Sequence, residues 1–423
     1  MAPESKIKVS EFYFIHIKVK LLPTYNRKVK KEILYFTLNF KSKLKMNIET
    51  YDWGSSRTGR DYEYYLPNPV NLPWKWEQAS INKLLEEASM KLGELNSFAR
   101  LVPNIDLFIL LHVTTEAVVS SRIEGTQTNI DEALLDEEDV APGRRDDWQE
   151  VQNYTRALNT AIEELKNLPI STRLICDTHR ILMDGVRGER KQPGEFRNTQ
   201  NWIGGASLSD AIFIPPDHPH VNNLMSDLEK FIHNDQLNVP DLIKIGMVHY
   251  QFETIHPFLD GNGRIGRLLI TLYMVSNGIL DKPLLYLSKF FEKHKGTYYD
   301  NLMRVREKND MAHWIKFFLV GIRDTAIDAS NTLSSILLLK NELEVQIKEN
   351  WGRRTDSAFA LLEYLFRQPV VEIKKVQKVC GLSAKAAGDL VKSFEDAGIL
   401  KEWTGQSRNR SYSFDPYLKK FRE

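Results

Sequence analysis

A stretch near the middle of the sequence combines residue types that could bind and activate a phosphate group: one histidine, one aspartate, three glycines and two arginines. It reads His256-Pro257-Phe258-Leu259-Asp260-Gly261-Asn262-Gly263-Arg264-Ile265-Gly266-Arg267. Apolar residues at helical spacing continue from Ile265, so the pattern predicts a glycine-permitted turn that leads into a helix. The N-terminus of such a helix presents free backbone amides and a positive dipole to an anion.

The side chains around this turn supply the other groups that phosphate chemistry requires. Arg264 and Arg267 are three residues apart, hence on one face of the first helical turn, and we expect both guanidiniums to bind the same polyphosphate. Asp260 offers an oxygen ligand of the kind that Mg²⁺ prefers. His256 offers a neutral imidazole as a general base. Together these groups would allow a hydroxyl to attack a nucleotide phosphate.

Other loops of similar composition do not fit the spacing. A calcium-binding loop requires Asp or Asn at position 264 and Glu at position 271, where this chain has Arg264 and Thr271. The sequence has no Gly-Lys-Ser/Thr after a strand, which argues against a P-loop. The pair Gly204-Gly205 lacks the spacing of a dinucleotide-binding fingerprint.

The stretch from His256 to Arg267 fits the Fic motif, His-x-Phe-x-Asp/Glu-Gly-Asn-Gly-Arg-x-x-Arg, at every defined position. Over most of 46–423 the chain resembles a bacterial Fic protein adenylyltransferase, including a hairpin with Gly194-Glu195-Phe196-Arg197. The resemblance implies a mainly α fold: a Fic helical core with a β-hairpin flap, an N-terminal helical region and a C-terminal winged helix. It also implies transfer of AMP from ATP to Ser, Thr or Tyr hydroxyls of target proteins and of the enzyme itself, and it allows the reverse removal of AMP.

The resemblance assigns roles to individual residues. His256 would deprotonate the target hydroxyl, and Asp260 would hold Mg²⁺. The nucleotide would contact three parts of the chain. The motif turn would contribute Gly261, Asn262, Gly263, Arg264, Ile265, Gly266 and Arg267. A flap over the nucleotide would contribute Ile203, Gly204, Gly205 and Ala206, and Tyr299 and Arg306 would lie near the adenine. The flap would also align the target chain by strand-like pairing.

A second short motif lies well before the first. Fic proteins of this type can carry an inhibitory Ser/Thr-x-x-x-Glu-Gly/Asn sequence, which Ser120 to Gly125 fits. Ser120 and Glu124 would be one turn apart on a helix that Gly125 is suited to end. A carboxylate at a helix C-terminus faces the unfavourable end of the dipole, so Glu124 requires a cation. We predict that it pairs with Arg267 and inhibits the enzyme by preventing ATP from placing its γ-phosphate.

The composition is that of a soluble globular protein, with 42% hydrophobic residues and Lys+Arg 57 against Asp+Glu 56. No aliphatic run approaches the roughly 18 residues that a membrane-spanning helix requires. Cys176 and Cys380 are far apart in the sequence, which predicts neither a disulfide framework nor a cysteine zinc site and indicates a reducing cytoplasm.

The near-neutral net charge conceals a basic N-terminal segment. Residues 1–45 contain ten Lys and Arg27 against three Glu, a charge of 11 − 3 = +8. Met46 opens a stretch of different composition, so we interpret 1–45 as an appendage from an upstream start. A binding arm for nucleic acid or an anionic surface and an extra hairpin on the fold are the alternatives.

The remaining sequence divides into four parts: an N-terminal helical region at 46–140, a Fic catalytic core at 141–323, a helical linker at 324–354 and a winged-helix-like domain at 355–423. In the last part Ser383 would cap the second helix of a helix-turn-helix. That helix has a net charge of 2 − 3 = −1, which opposes DNA phosphates. A nucleotide-sensing, DNA-binding regulator is therefore the alternative function. The family resemblance also implies a homodimer.

Overall fold

A computed structural model of the chain describes residues 45–59, 61–102, 105–186, 191–402 and 410–422, without the side chains of Leu107 and Arg422. The basic N-terminal segment, apart from Lys45, lies outside the described residues. The interpretation of that segment as an appendage therefore stays a prediction.

The described part begins with four short strands. β1 (Met46–Asn47) pairs in parallel with β4 (Trp74–Lys75), and β2 (Gly54–Thr58) pairs antiparallel with β3 (Glu63–Pro67). The indole rings of Trp53 and Trp74 stack on each other, with their centroids 4.9 Å apart. The region at 46–140, predicted as helical, therefore begins with strands over its first 30 residues, which the sequence did not reveal because strands this short show no clear alternation.

Helices make up most of the remaining chain, which confirms the mainly α prediction. Before the tail they are α1 (Ala79–Leu101), α2 (Asp106–Ile123), α3 (Ile130–Ala133), α4 (Arg145–Glu164), α5 (Thr172–Leu182), α6 (Val221–Ile232), α7 (Asp241–Ile255), α8 (Asn262–Ser276), α9 (Ser288–Lys293), α10 (Lys295–Lys308) and α11 (Met311–Asn350). None of the helices in the described ranges is long and apolar enough to cross a membrane.

Helices α7 and α8 form the centre of the core. Every residue of α7 after Asp241 is buried, as are most residues of α8. A helix that is buried on all sides is held by its neighbours, so its end is a rigid platform for the loop that follows. The loop between α7 and α8 contains most of the Fic motif.

Helix α11 runs through a predicted domain boundary. The sequence placed a linker at 324–354, but the helix begins at Met311 and continues for 40 residues. Its first turns belong to the core, since the Trp314 indole is buried and donates to the carbonyl of Gly246 in α7 at 2.8 Å. Residue 323 therefore marks no break in the structure.

The tail consists of a helix-turn-helix and a small sheet. Its elements are α12 (Thr355–Arg367), β5 (Val370–Glu372), α13 (Ile373–Cys380), α14 (Ala384–Asp396), β6 (Lys401–Glu402), β7 (Ser411–Ser413) and α15 (Asp415–Arg422). The strands are antiparallel in the order β5-β7-β6. Ser383 accepts from the Ala386 amide at 3.3 Å, as predicted for the cap of α14, and Gly381 ends α13 at φ +65°. The segment 403–409 lies outside the described residues.

The tail packs directly against α2, the helix of the predicted inhibitory motif. Phe366 of α12 meets Phe108 edge to face, with ring centroids 5.8 Å apart. Phe421 of α15 meets His112 in the same way at 4.9 Å. Aromatic pairs of this geometry stabilise a contact beyond the effect of the surface area they bury, so they help to hold the tail against α2.

Candidate active site

The motif loop is fixed at both ends by left-handed residues. His256 ends α7 at φ +49°, because Pro257 excludes the helical conformation from its predecessor. Gly261 precedes α8 at φ +74°, a conformation that glycine adopts without strain. The predicted end of the first helix and start of the second are both confirmed. The first backbone amides of α8 lack partners within their own helix and point towards the end of the motif loop.

Asn262 closes the loop from inside. Its side-chain oxygen accepts from the Phe258 amide at 2.8 Å, and its nitrogen donates to the Phe258 carbonyl at 2.8 Å. Both ends of the side-chain amide are thus used within the loop. Asn262, which we predicted to contact the nucleotide, can still do so through its backbone amide.

Two side chains from the segment before α6 hold the carbonyl groups of the loop. Arg197, only 2% exposed, donates to the carbonyls of His256 at 2.9 Å, Ile255 at 3.3 Å and Pro216 at 2.5 Å. Asn201 donates to the carbonyls of His256 and Phe258 at 3.2 and 2.8 Å. These bonds set the direction of the backbone on either side of His256.

His179 of α5 positions the part of the loop that contains Asp260, a role that the sequence analysis missed. Its Nδ1 accepts from the Gly194 amide at 2.8 Å, so Nε2 carries the proton and donates to the Asp260 carbonyl at 3.0 Å. The ring stacks on Phe258 with centroids 3.8 Å apart. Burial lowers the pKa of His179 to about 4, which keeps this neutral tautomer at neutral pH. A lone histidine in an amphipathic helix gives no signal of such a role.

Replacement of His179 by Phe tests this positioning. We expect His179→Phe to keep the stack on Phe258 but to lower the free energy of unfolding by about 1–3 kcal/mol, because the buried Gly194 amide loses its partner. Urea denaturation measures the change. The exposed His313 provides the matched control, His313→Phe, and an equal loss of stability in both variants would contradict the role of His179.

His256 has a neutral imidazole in this structure. Burial lowers its pKa to about 3, and the positive charges of Arg197 and Arg306 act in the same direction, whereas Glu124 opposes them. Its Nδ1 is buried without a hydrogen-bond partner among the described residues. A neutral imidazole has one unprotonated ring nitrogen, which is available to accept a proton.

The predicted ion pair between Glu124 and Arg267 is present. Nη2 of Arg267 donates to Oε1 of Glu124 at 2.6 Å and to the carbonyl of Ser120 at 2.9 Å, while Nε donates to the Ser120 hydroxyl at 2.9 Å. Glu124 follows the last residue of α2, and Gly125 leaves the helix at φ +108°. Three of the hydrogen bonds that Arg267 can form are thus directed to the predicted inhibitory motif.

Charge complementarity strengthens this pair. Burial alone would raise the pKa of Glu124, but the charge and hydrogen bond of Arg267 outweigh it and hold the pKa below its usual value. The carboxylate also lies against the loop itself, since a Cβ at Gly263 would collide with its Oε1. Glu124 therefore places a negative charge where α8 offers its first amides.

Arg264 and Arg267 have different partners in this structure, and the expectation that both guanidiniums bind one polyphosphate stays a prediction. Nη1 of Arg264 donates to Oε2 of Glu150 in α4 at 3.0 Å, and both side chains are less than a tenth exposed. Nη2 of Arg264 lies 3.7 Å from Oδ1 of Asp260.

Asp260 suits a magnesium ion that is held mainly by phosphate and water. Its side chain is 48% exposed, and its Oδ1 accepts from the Gly261 amide at 2.6 Å. Among the described residues no group of three or more His, Cys, Asp or Glu side chains could hold a metal ion. Mg²⁺ commonly binds through one or two carboxylates and substrate phosphates, so this single carboxylate fits it.

The predicted flap is a loop with one bridge rather than a full hairpin. Ile203 and Phe213 exchange two backbone hydrogen bonds of 2.9 and 3.1 Å. Between them Gly204 and Gly205 adopt left-handed conformations, and Asp210 accepts from the amides of Ala206 and Ser207. The glycines and Ala206 are exposed, so the backbone at the tip is accessible to a ligand.

The two predicted adenine contacts differ in their surroundings. Arg306 lies over the Phe213 ring at 3.6 Å and donates to the Thr254 hydroxyl, which connects α10 to the flap and to the last turn of α7. Tyr299 is 38% exposed. Of the other motif residues, Ile265 is buried in the core and Gly266 packs closely against Glu253, so only their backbones could contact a nucleotide.

Fold and site together define a helical domain built around an anion-binding loop. Residues 82–163 match the Fic/DOC family N-terminal region, and residues 169–274 match the Fic/DOC family. The chain thus contains a Fic domain with its N-terminal companion. A Fic family protein from Desulfovibrio desulfuricans has a similar structure, with a TM-score of 0.51 and 20% identity over 81% of this chain and 97% of that one. The predicted Fic fold is confirmed.

Curated relatives are similar over shorter stretches. Protein adenylyltransferase Fic of Culex quinquefasciatus is 31% identical over 153 residues, which are 36% of this chain and 27% of that protein. A probable protein adenylyltransferase of Aquifex aeolicus is 29% identical over 187 residues, 43% of this chain and 55% of that protein. The matches thus span between about a quarter and about half of these relatives.

Proposed function

We propose that the protein is a protein adenylyltransferase, which transfers AMP from ATP to a hydroxyl group of a protein. The observation that carries the proposal is the motif loop: a neutral His256, the first amides of α8 and Arg267 converge on a carboxylate that stands where a phosphate would bind. The adenylyltransferase names of the relatives support the same reaction.

The reaction follows from the groups around the loop. The target hydroxyl oxygen attacks the α-phosphorus of ATP, its proton passes to His256, and the bond to the leaving pyrophosphate breaks. The amides at the start of α8 stabilise the charge on the phosphate oxygens. Arg267 binds the γ-phosphate, which aligns the leaving group opposite the incoming hydroxyl. Asp260 would hold Mg²⁺, which neutralises phosphate charge when bound.

In the state described here, Glu124 inhibits this reaction. Arg267 is 97% buried and donates to Glu124 and Ser120, so a γ-phosphate must displace the carboxylate to reach it. The carboxylate also repels phosphate from Gly263, against which it packs. Inhibition is therefore built into the chain. Glu124 could also orient a water molecule to remove AMP, which makes the reverse reaction part of the proposal.

The target is expected to dock beside the flap. Trp202 and Ile212, on either side of the Ile203–Phe213 bridge, are 39% and 70% exposed. Exposed apolar groups beside the accessible backbone of the flap tip suit a chain that adds by strand-like pairing and presents a Ser, Thr or Tyr hydroxyl. A homodimer and a winged-helix tail remain part of the proposal through the family resemblance.

A nucleotide-sensing, DNA-binding regulator is the less favoured function. On α14 the exposed Lys385 and Lys392 are outnumbered by Asp389, Glu395 and Asp396. Salt-dependent retention on random duplex DNA by the full chain would favour it. Truncation of the tail is unsuitable for this test because α12 and α15 pack on α2.

The decisive experiment uses ATP labelled on either the α- or the γ-phosphate. The full chain, its Glu124→Gly form and the double Glu124→Gly/His256→Ala form are incubated with Mg²⁺ and a cell lysate. Protein-bound label from α-labelled ATP alone, raised by Glu124→Gly and lost in the double variant, would support AMP transfer. Label from the γ-phosphate would indicate a kinase, and the absence of label from either would favour a nucleotide sensor.

A further inference from the structure

A cavity of about 340 Å³ lies where α2 meets α9, α11 and α15. One face of α2 forms a wall: Thr115 and Glu116 follow His112 by three and four residues, and Val119 follows them by four and three. The volume is within the range of small-molecule sites. None of the residues to which the proposed reaction assigns a role lines it.

Two buried polar groups line the cavity. Glu116 is 4% exposed, and its Oε1 accepts from the hydroxyls of Tyr154 at 2.9 Å and Ser288 at 2.5 Å. Tyr286 is 8% exposed, and its hydroxyl has no hydrogen-bond partner among the described residues. Burial raises the pKa of Glu116 to about 7, so at neutral pH a large fraction of it can act as a donor.

The rim of the cavity is positively charged. Lys289 and Lys293 of α9 and Lys420 of α15 line it, and none of them forms an ion pair within the described residues. On the opposite side stand Asp324, which is bound by Arg323 at 2.8 Å, and Asp328. Unpaired cations exceed unpaired carboxylates at this rim, which favours an anion over an amine.

The walls suit a flat apolar group. Phe290 of α9 and Phe421 of α15 are half-buried there, and the Phe421 ring meets His112 edge to face. Aromatic and aliphatic walls with a few convergent polar groups are typical of sites for organic molecules.

We propose that this cavity is a binding site for a small organic anion: a planar apolar body between Phe290 and Phe421, with a phosphate or carboxylate at Lys289 and Lys293. The buried Tyr286 hydroxyl and Glu116 would hydrogen-bond the part of the ligand that enters deepest. Because one wall is the helix that carries Glu124, the site lies against the inhibitory element, but binding itself does not depend on AMP transfer.

Phenyl phosphate is the probe for this site. Its binding to the full chain is measured by saturation-transfer NMR and by the rise in the unfolding midpoint, without ATP. We expect Lys289→Gln/Lys293→Gln to weaken binding by about tenfold or more, as loss of two charge contacts would. Ala329→Leu, which narrows the cavity without a change of charge, should weaken it similarly. The control Lys385→Gln/Lys392→Gln makes the same charge change in α14 and should leave binding intact.

Three results would overturn the proposal. The first is an absence of phenyl phosphate binding to the unaltered chain. The second is equal binding to the unaltered chain and to both cavity variants, which would place the probe elsewhere, such as at the start of α8. The third is equally strong binding of benzyl alcohol, a neutral molecule with the same ring, because the lysine rim would then have no role.

Discussion

Replacement of Glu124 by Gly is expected to raise AMP transfer by about a hundredfold, since misplacement of a reacting group by an ångström has an effect of that order. In the described state Arg267 directs three hydrogen bonds to Ser120 and Glu124. Without the carboxylate, the Nη2 group is free for a γ-phosphate, and the space beside Gly263 opens. Initial rates with α-labelled ATP measure the change.

A second carboxylate at the same end of α2 provides the control. Oε1 of Glu292 in α9 lies 3.5 Å from Nε of Arg122, two residues before Glu124 in the predicted inhibitory motif, but Glu292 has no ion pair with the motif loop in the described residues. Glu292→Ala should leave the rate near that of the unaltered chain. A similar increase in both variants would show that loosening of α2, rather than release of Arg267, activates the enzyme.

The sequence predicted best the features that short segments determine. Pro257 ends α7, Gly261 precedes α8 and Gly125 ends α2, each because one residue restricts or permits particular backbone angles. The need of Glu124 for a cation was predicted from chemistry, since a carboxylate at a helix C-terminus faces the negative end of the dipole, but the choice of Arg267 as its partner rested on the family resemblance. The paired strands at 46–75 were not predicted, because each is held by a partner rather than by its own pattern.

Long-range contacts account for the parts of the site that the sequence did not reveal. The sequence assigned Arg264 to phosphate binding but did not predict its buried partner Glu150, which lies 114 residues away in α4. His179 reaches the carbonyl of Asp260 from α5, 81 residues away. Nothing in the sequence near Glu150 or His179 marks either residue, because the fold alone brings α4 and α5 against the start of α8.

Replacement of His256 by Ala, in the activated Glu124→Gly protein, should lower the transfer rate by about a hundredfold to ten-thousandfold, the usual contribution of a general base. Burial, Arg197 and Arg306 lower the pKa of His256 to about 3 in the described structure, which makes it neutral but weakly basic. A bound polyphosphate would bring negative charge close to the ring and raise its pKa, as Glu124 does now. The base would then be strongest when ATP is present.

Two measurements separate loss of a base from loss of the site. ATP affinity should stay nearly unchanged in the His256→Ala protein, because Arg267 and the amides of α8 remain, whereas a collapsed loop would weaken binding as well. His313→Ala, which removes an exposed imidazole from α11, should leave both rate and affinity intact. If the His256→Ala protein turns over at the rate of its parent, proton transfer to His256 is not part of the reaction, and another group must accept the hydroxyl proton.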